Sequence, residues 1–261
     1  MTSLQGRKIL ITRDASQAGS LKEKLADLGG DVICVPTIAI TEPPDWAPFD
    51  KASTRLPEFD WVVFSSVNAV SRTADRLSHL RIASDVLNSS RLAAVGNQTA
   101  VAAAAYGWQI EVVPDRFQAE DLLERLLKTD VSGKNIWIPR ALEARPFLVD
   151  ELRRARAEVL ETPVYQNTIP YENRVRLRDV LLNGKIDWIT FTSSSTVTNF
   201  LKILGDHVSL KQLPRLASIG RITTQTLEKY GLIPDFTADP QNLDGICQGL
   251  LDSESQPSQP Q

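Results

Sequence analysis

The sequence predicts an α/β protein of two lobes, each a parallel sheet flanked by helices, joined by a two-stranded linker and derived from an internal duplication. The first observation is a pair of similar stretches, GNQTAVAAAAYG from Gly96 and GRITTQTLEKYG from Gly220. Each places a threonine three residues after a glycine, closes on Tyr-Gly and follows an apolar run, RLAAV or RLASI. The second observation is an offset of 127 residues that lays Gly6 on Gly133, Ile9 on Ile136, Ile11 on Ile138 and Arg13 on Arg140. The same offset lays DWVVFSS at Asp60 on DWITFTS at Asp187. After a three-residue contraction the offset is 124, which brings Gly96 onto Gly220, Thr99 onto Thr223 and Tyr106 onto Tyr230. The third observation is a regular alternation of apolar runs with helical periodicity, the pattern of strand–helix units in a parallel sheet.

In chain order, the first copy reads as a strand over 8–12, a helix over 17–28, a strand over 32–35, an extended segment and three further strand–helix units. The second copy repeats this order. WVVF and WITF are continuously apolar, as strands covered on both faces are. The extended segments PTIAITEPP and PVYQNTIP carry proline at both ends and β-branched residues between, which suits paired linker strands. They lie inside the copies, whereas periodicity alone suggests a division near residue 128.

Composition narrows the partners. The chain has 261 residues, 29 basic against 32 acidic, for a net charge of -3, so it offers no polybasic surface to nucleic acid or membrane. An anionic ligand must be met by a local cluster. No apolar run is long enough to span a bilayer, and residues 1–5 do not read as a signal peptide, so a cytoplasmic protein is expected. Cys34 falls in a predicted strand and Cys247 in a predicted helix, both as buried free thiols. The polar, proline-containing stretch 253–261 reads as a disordered tail.

Candidate site residues come from the ends of strands, where helix N-termini present free amides and the positive end of a dipole. Ser66 and Ser193 open helices after the two central strands, Thr99 and Thr223 follow the glycine turns, and Arg13 and Arg140 end the first strand of each copy. Serine and threonine there also serve as ordinary helix caps, and such arginines as solvated charges. Duplicated anion sites in one chain suit a large polyanion held by both lobes. Tyr165 is an acidic donor on an extended linker, expected to have an unpaired hydroxyl; the alternative is an aromatic that only packs its ring. His79 and His207 have no partner at a triad or metal-ligand spacing, and neither a GxGxxG nor a GxxxxGK[ST] motif is present.

With ILITR, FSSVNAV, AVGNQTA, PVYQNT, FTSSSTV and SIGRITTQTLEKYG in this order, the chain resembles the uroporphyrinogen-III synthase family over nearly its whole length. The resemblance implies two α/β lobes, one of residues 1–35 with 172–261 and one of residues 39–167. It implies cyclisation of hydroxymethylbilane, a linear tetrapyrrole with eight carboxylates, with inversion of ring D and loss of water. It implies no cofactor and no metal. Carried over by position, Tyr165 is the catalytic donor, and Ser66, Thr99, Ser193 and Thr223 contact substrate. Arg221 stands where the family commonly has a proline. The expected partners are the bilane and the upstream bilane-forming enzyme, with no nucleic acid or membrane, for a monomer. A non-catalytic two-lobe polyanion-binding or sensing module is the alternative.

Overall fold

The computed structural model describes residues 3–116, 118–205 and 209–255. The first copy contributes β1 (Lys8–Ile11), α1 (Ala15–Asp27), β2 (Asp31–Cys34), β3 (Ala39–Thr41) and α2 (Ala47–Ser53). It continues with β4 (Trp61–Phe64), α3 (Val67–His79), β5 (Arg91–Ala94), α4 (Asn97–Ala104), β6 (Ile110–Val112) and α5 (Ala119–Leu127). The second copy contributes β7 (Asn135–Ala141), α6 (Phe147–Arg154), β8 (Glu158–Thr168), α7 (Arg174–Asn183) and β9 (Trp188–Phe191). It ends with α8 (Ser194–Leu204), β10 (Arg215–Ser218), α9 (Arg221–Lys229), β11 (Phe236–Thr237) and α10 (Leu243–Ser255).

These strands form two sheets, ordered β11-β10-β9-β1-β2 and β3-β8-β7-β4-β5-β6. The ladders between β1 and β2, β1 and β9, β9 and β10, β4 and β5, and β4 and β7 are all parallel. The opening strands are exchanged: β1 of the first copy pairs with β9 of the second, and β7 of the second pairs with β4 of the first. Register is repeated across the exchange, Ile9 opposite Trp188 and Ile136 opposite Trp61. The chain therefore divides into one compact unit of Met1–Ala39 with Thr168–Gln261 and another of Ile40–Asn167.

Within each unit, alternation along the central strand feeds two cores. In the six-stranded sheet, Val62 and Phe64 join Trp108, Trp137 and Leu77 on one face, while Trp61 and Val63 join Leu122, Ile138 and Leu152 on the other. In the five-stranded sheet, Ile189 and Phe191 pack with Phe200 and Leu227, and Trp188 packs with Leu21 and Ile246 across the sheet. Burying one such side chain contributes roughly 1.5–3 kcal/mol.

The Tyr-Gly pairs that close the twin stretches are helix stops. Gly107 and Gly231 have φ of +78° and +73°, the left-handed region open to glycine at little cost. The residue after each glycine returns its amide to the last turn, Trp108 to Ala103 and Leu232 to Leu227, as a helix-terminating αL glycine permits.

An aspartate seals each exchanged strand pair. Asp187 Oδ2 accepts from the Lys8 amide at 2.8 Å, and Asp60 Oδ2 accepts from the Asn135 amide at 2.9 Å. Arg7 reaches Asp187 at 3.2 Å and Lys134 reaches Asp60 at 3.1 Å, so the basic partner is repeated as well. The Asn135 amide is the main cause that holds the Asp60 carboxyl below its ordinary pKa, with Lys134 adding to it against burial.

Two expectations change. Helix α10 continues to Ser255, three residues into the stretch assigned to a disordered tail. Glu254 is the reason: it accepts from the Trp188 indole at 2.9 Å and from Arg7 at 2.5 Å, and pairs with Arg215. Residues 256–261, like His207, lie outside the described residues. Cys34 is half-buried and Cys247 buried, both free, and burial pushes both thiols above their ordinary pKa. Among the described residues no helix is long and apolar enough to cross a membrane.

Replacing Asp60 by Ala should cost about 1–2 kcal/mol at pH 7, since a charged acceptor is lost at a partly exposed site. A carboxyl with a depressed folded pKa stabilises above its unfolded pKa of about 3.9 and loses that effect as pH falls through the folded value. The penalty of Asp60→Ala should therefore shrink between pH 7 and pH 3 in urea titrations; an unchanged penalty would remove the carboxylate from the account. Cutting the chain near residue 128 leaves β4 without β7 and β9 without β1. Neither half alone should unfold cooperatively by calorimetry, and two sharp transitions from separately expressed halves would contradict the exchange.

Candidate active site at the carboxyl ends of the strands

In the unit of Ile40–Asn167, β4 runs into Ser65 and Ser66, and Ser66 takes extended angles (φ -160°, ψ 159°) as the N-cap of α3. Its Oγ accepts from the Ala69 amide at 3.1 Å, one of the four amides that a helix start leaves without partners. The same Oγ lies 3.1 Å from the hydroxyl of Tyr165 on β8. The phenol is thus paired, contrary to the sequence expectation. The reason is sheet order: β8 lies beside β7, which lies beside β4, and a register shift after Arg140 brings Tyr165 opposite Ala141. Tyr165 is 7% exposed and belongs to the core cluster that also holds Val164, Ala69 and Phe64, so it is both a core residue and a donor.

Thr99 stands third in α4, behind Gly96 at the N-cap, and Thr223 stands third in α9, behind Gly220. Both are buried, and neither hydroxyl has a protein hydrogen-bond partner among the described residues. Glycine occupies the capping position in both turns, so the threonines are not caps. Ser193 is one: it forms a reciprocal capping box with Thr196, accepting from the Thr196 amide at 3.2 Å while the Ser193 amide donates to Thr196 Oγ1 at 3.2 Å.

The two strand-end arginines differ. Arg140 is 6% exposed, donating to Glu161 at 3.1 Å and to the Arg145 carbonyl at 2.7 Å. It braces the loop whose Leu142 amide donates to the Tyr165 carbonyl at 2.9 Å. Arg13 is half-buried; burial lowers its pKa, with Asp14 acting against it.

A cavity of about 540 Å³ opens within the same unit, lined by Ser65, Gln118, Glu120, Arg140, Arg145 and Phe147 among others. Ser66, Thr99 and Tyr165 do not line it. Arg145, with a largely exposed side chain 4.0 Å from Glu120, is a cation that the sequence reading missed because it sits past the strand end. Gln241 was missed as well. Its Oε1 accepts from the Arg221 amide at 3.3 Å and so occupies one donor of the second glycine turn. The Arg221 side chain itself is exposed and forms no ion pair among the described residues.

Hydroxyls and amides dominate both strand-end surfaces, a set suited to binding carboxylates and to donating a proton from one phenol. A family model described as uroporphyrinogen-III synthase HemD matches residues 19–248. A uroporphyrinogen-III synthase of Synechococcus elongatus is 33% identical over 250 residues, covering 93% of this chain and 94% of that protein. One of Chlorobaculum parvum is 28% identical over 252 residues, 94% of this chain and 99% of that protein. In fold, the chain is similar to uroporphyrinogen-III synthetase of Helicobacter pylori, at a TM-score of 0.65 and 19% identity over 95% of this chain and 99% of that one. The Thermus thermophilus enzyme, in a triple-mutant form, gives 0.64 at 18% identity over 96% and 99%. From the matched span and the length of the shared sequence, the chain belongs to the uroporphyrinogen-III synthase family.

Proposed function

We propose that the chain closes hydroxymethylbilane to uroporphyrinogen III, with inversion of ring D and loss of water. The observation that carries this is the 33% identity to the Synechococcus enzyme across almost the full length of both chains. The substrate's own chemistry explains candidate site residues that include no histidine among the described residues. A pyrrole nitrogen pushes out the hydroxymethyl oxygen as water, leaving an azafulvene. Ring D attacks through its substituted carbon, and the spiro intermediate fragments and recloses at the neighbouring position. Without the protein the bilane closes with no inversion, so the protein's work is to hold a folded bilane and exclude the other geometry.

In this reading Tyr165 donates its proton to the departing oxygen, the phenol O–H being a hydrogen-bond donor. Thr99 and Thr223, buried with hydroxyls that have no protein partner among the described residues, each take a substrate carboxylate together with the amides of their turns. Ser193, Arg13 and Arg140 also serve substrate binding, Arg140 by bracing the loop beside Tyr165. The chain works as a monomer in the cytoplasm and receives its bilane from the enzyme that makes it.

Incubation with freshly generated hydroxymethylbilane should give isomer III above the spontaneous background. Isomer I alone would return the chain to a polyanion-binding module. Tyr165→Phe should keep the fold and slow single-turnover formation of isomer III by about 100-fold or less, the low end for general acids because water loss here is intrinsically easy. Equal rates for the two proteins would leave Tyr165 a packing residue. Thr99→Ala and Thr223→Ala should each lower turnover by about 10-fold, the worth of one hydrogen bond to a charged group. Unchanged turnover in both would reduce these threonines to structural roles.

A further inference from the structure

The two copies are most alike at their structural positions, and they diverge where Ser66 meets Tyr165. The counterpart of Ser66 is Ser193, that of Ala69 is Thr196 and that of Tyr165 is Ile38. In the other unit Thr196 closes a capping box on Ser193, its own hydroxyl donating to the Ser193 carbonyl at 2.6 Å. Ala69 has no hydroxyl to do this, and the phenol of Tyr165 lies 3.1 Å from Ser66 Oγ instead. One pair of substitutions therefore removes the box, and the other supplies a phenol to the cap serine.

We propose that Ser66 is a positioning residue for Tyr165, a role that rests on the reaction proposed above: as the phenol gives up its proton, the Ser66 hydroxyl donates to the phenolate oxygen. In the resting pair either oxygen can be the donor. A phenolate is an acceptor only, so after proton transfer the hydrogen between the two oxygens belongs to Ser66. The balance is simple. The Tyr165 O–H proton goes to the hydroxymethyl oxygen, the C–O bond breaks with its electron pair on the departing water, and the phenolate remains to take back a proton when the ring closes.

The Ala69 amide fixes the serine oxygen in place, and the start of the 13-residue helix α3 lends its positive dipole end to the new charge. A hydrogen bond that strengthens as charge develops lowers the barrier, because it is worth more in the transition state than in the ground state. The unit of Ile40–Asn167 thus carries the acid, and the hydroxymethyl end of the bilane belongs against its surface.

A mutant cycle read by single-turnover formation of isomer III tests this. Ser66→Ala should slow the reaction by about 10-fold or more, and Ser66→Thr should restore most of the lost rate. In a Tyr165→Phe background, Ser66→Ala should change the rate by less than about twofold, because its target is gone. Ser66→Asp keeps a cap for α3 but offers no donor, so it should retain the wild-type melting temperature and be slower than Ser66→Ala, which separates capping from chemistry if the alanine protein is unstable. Equal slowing by Ser66→Ala in both backgrounds, or no slowing in the wild-type background, would overturn the proposal while leaving isomer III synthesis intact. Wild-type protein that makes only isomer I would overturn the parent reaction and this role with it.

Discussion

Each central strand of this protein requires a neighbour that its own copy does not supply. Trp61–Phe64 and Trp188–Phe191 are buried on both faces, so both edges must be hydrogen-bonded. One edge takes the next strand of the same copy, and the other takes the opening strand of the other copy. The aspartate at the entry of each central strand receives the amide of that exchanged strand. The site inherits this arrangement, because Ser66 comes from one copy and Tyr165 from the other. They share a sheet only because β7 and β8 lie alongside β4.

The duplication has been kept where it holds the fold. Arg91 stacks over Trp61 and Arg215 over Trp188, both at 4.1 Å, at matching positions of the two central strands. The left-handed glycines after α4 and α9 repeat as well. Divergence gathers at the carboxyl ends. Gln241 covers an amide of the second glycine turn, Arg140 is tied to Glu161, and one of the two cap serines has exchanged its box partner for a phenol. A symmetric framework therefore carries two unlike surfaces.

Among the described residues no histidine stands with the candidate site residues. His79 closes α3 at its carboxyl end, about 20 Å along the helix from Ser66 at 1.5 Å per residue. The bilane brings its own electron push and its own leaving group. The described residues offer it a phenol held against a cap serine and buried threonine hydroxyls with no protein partner among those residues.

The duplication, the parallel sheets and the strand-end location of the candidate residues could be read from sequence, because spacing, apolar runs and glycine turns are local properties. Twin Tyr-Gly stops and caps at Ser66 and Ser193 follow from backbone demands that a few neighbouring residues satisfy. Other properties depend on which strands become neighbours. Periodicity favours a division near residue 128, and only pairing across copies shows that the opening strands are exchanged. The sequence left Tyr165 unpaired because Ser66 lies 99 residues away, and left 253–255 in a tail because Glu254 finds Trp188, Arg7 and Arg215 only in the folded unit. Local chemistry determined the elements and their ends, while contacts between residues far apart in the chain decided which hydroxyl is a cap, which arginine is a brace and which phenol has a partner.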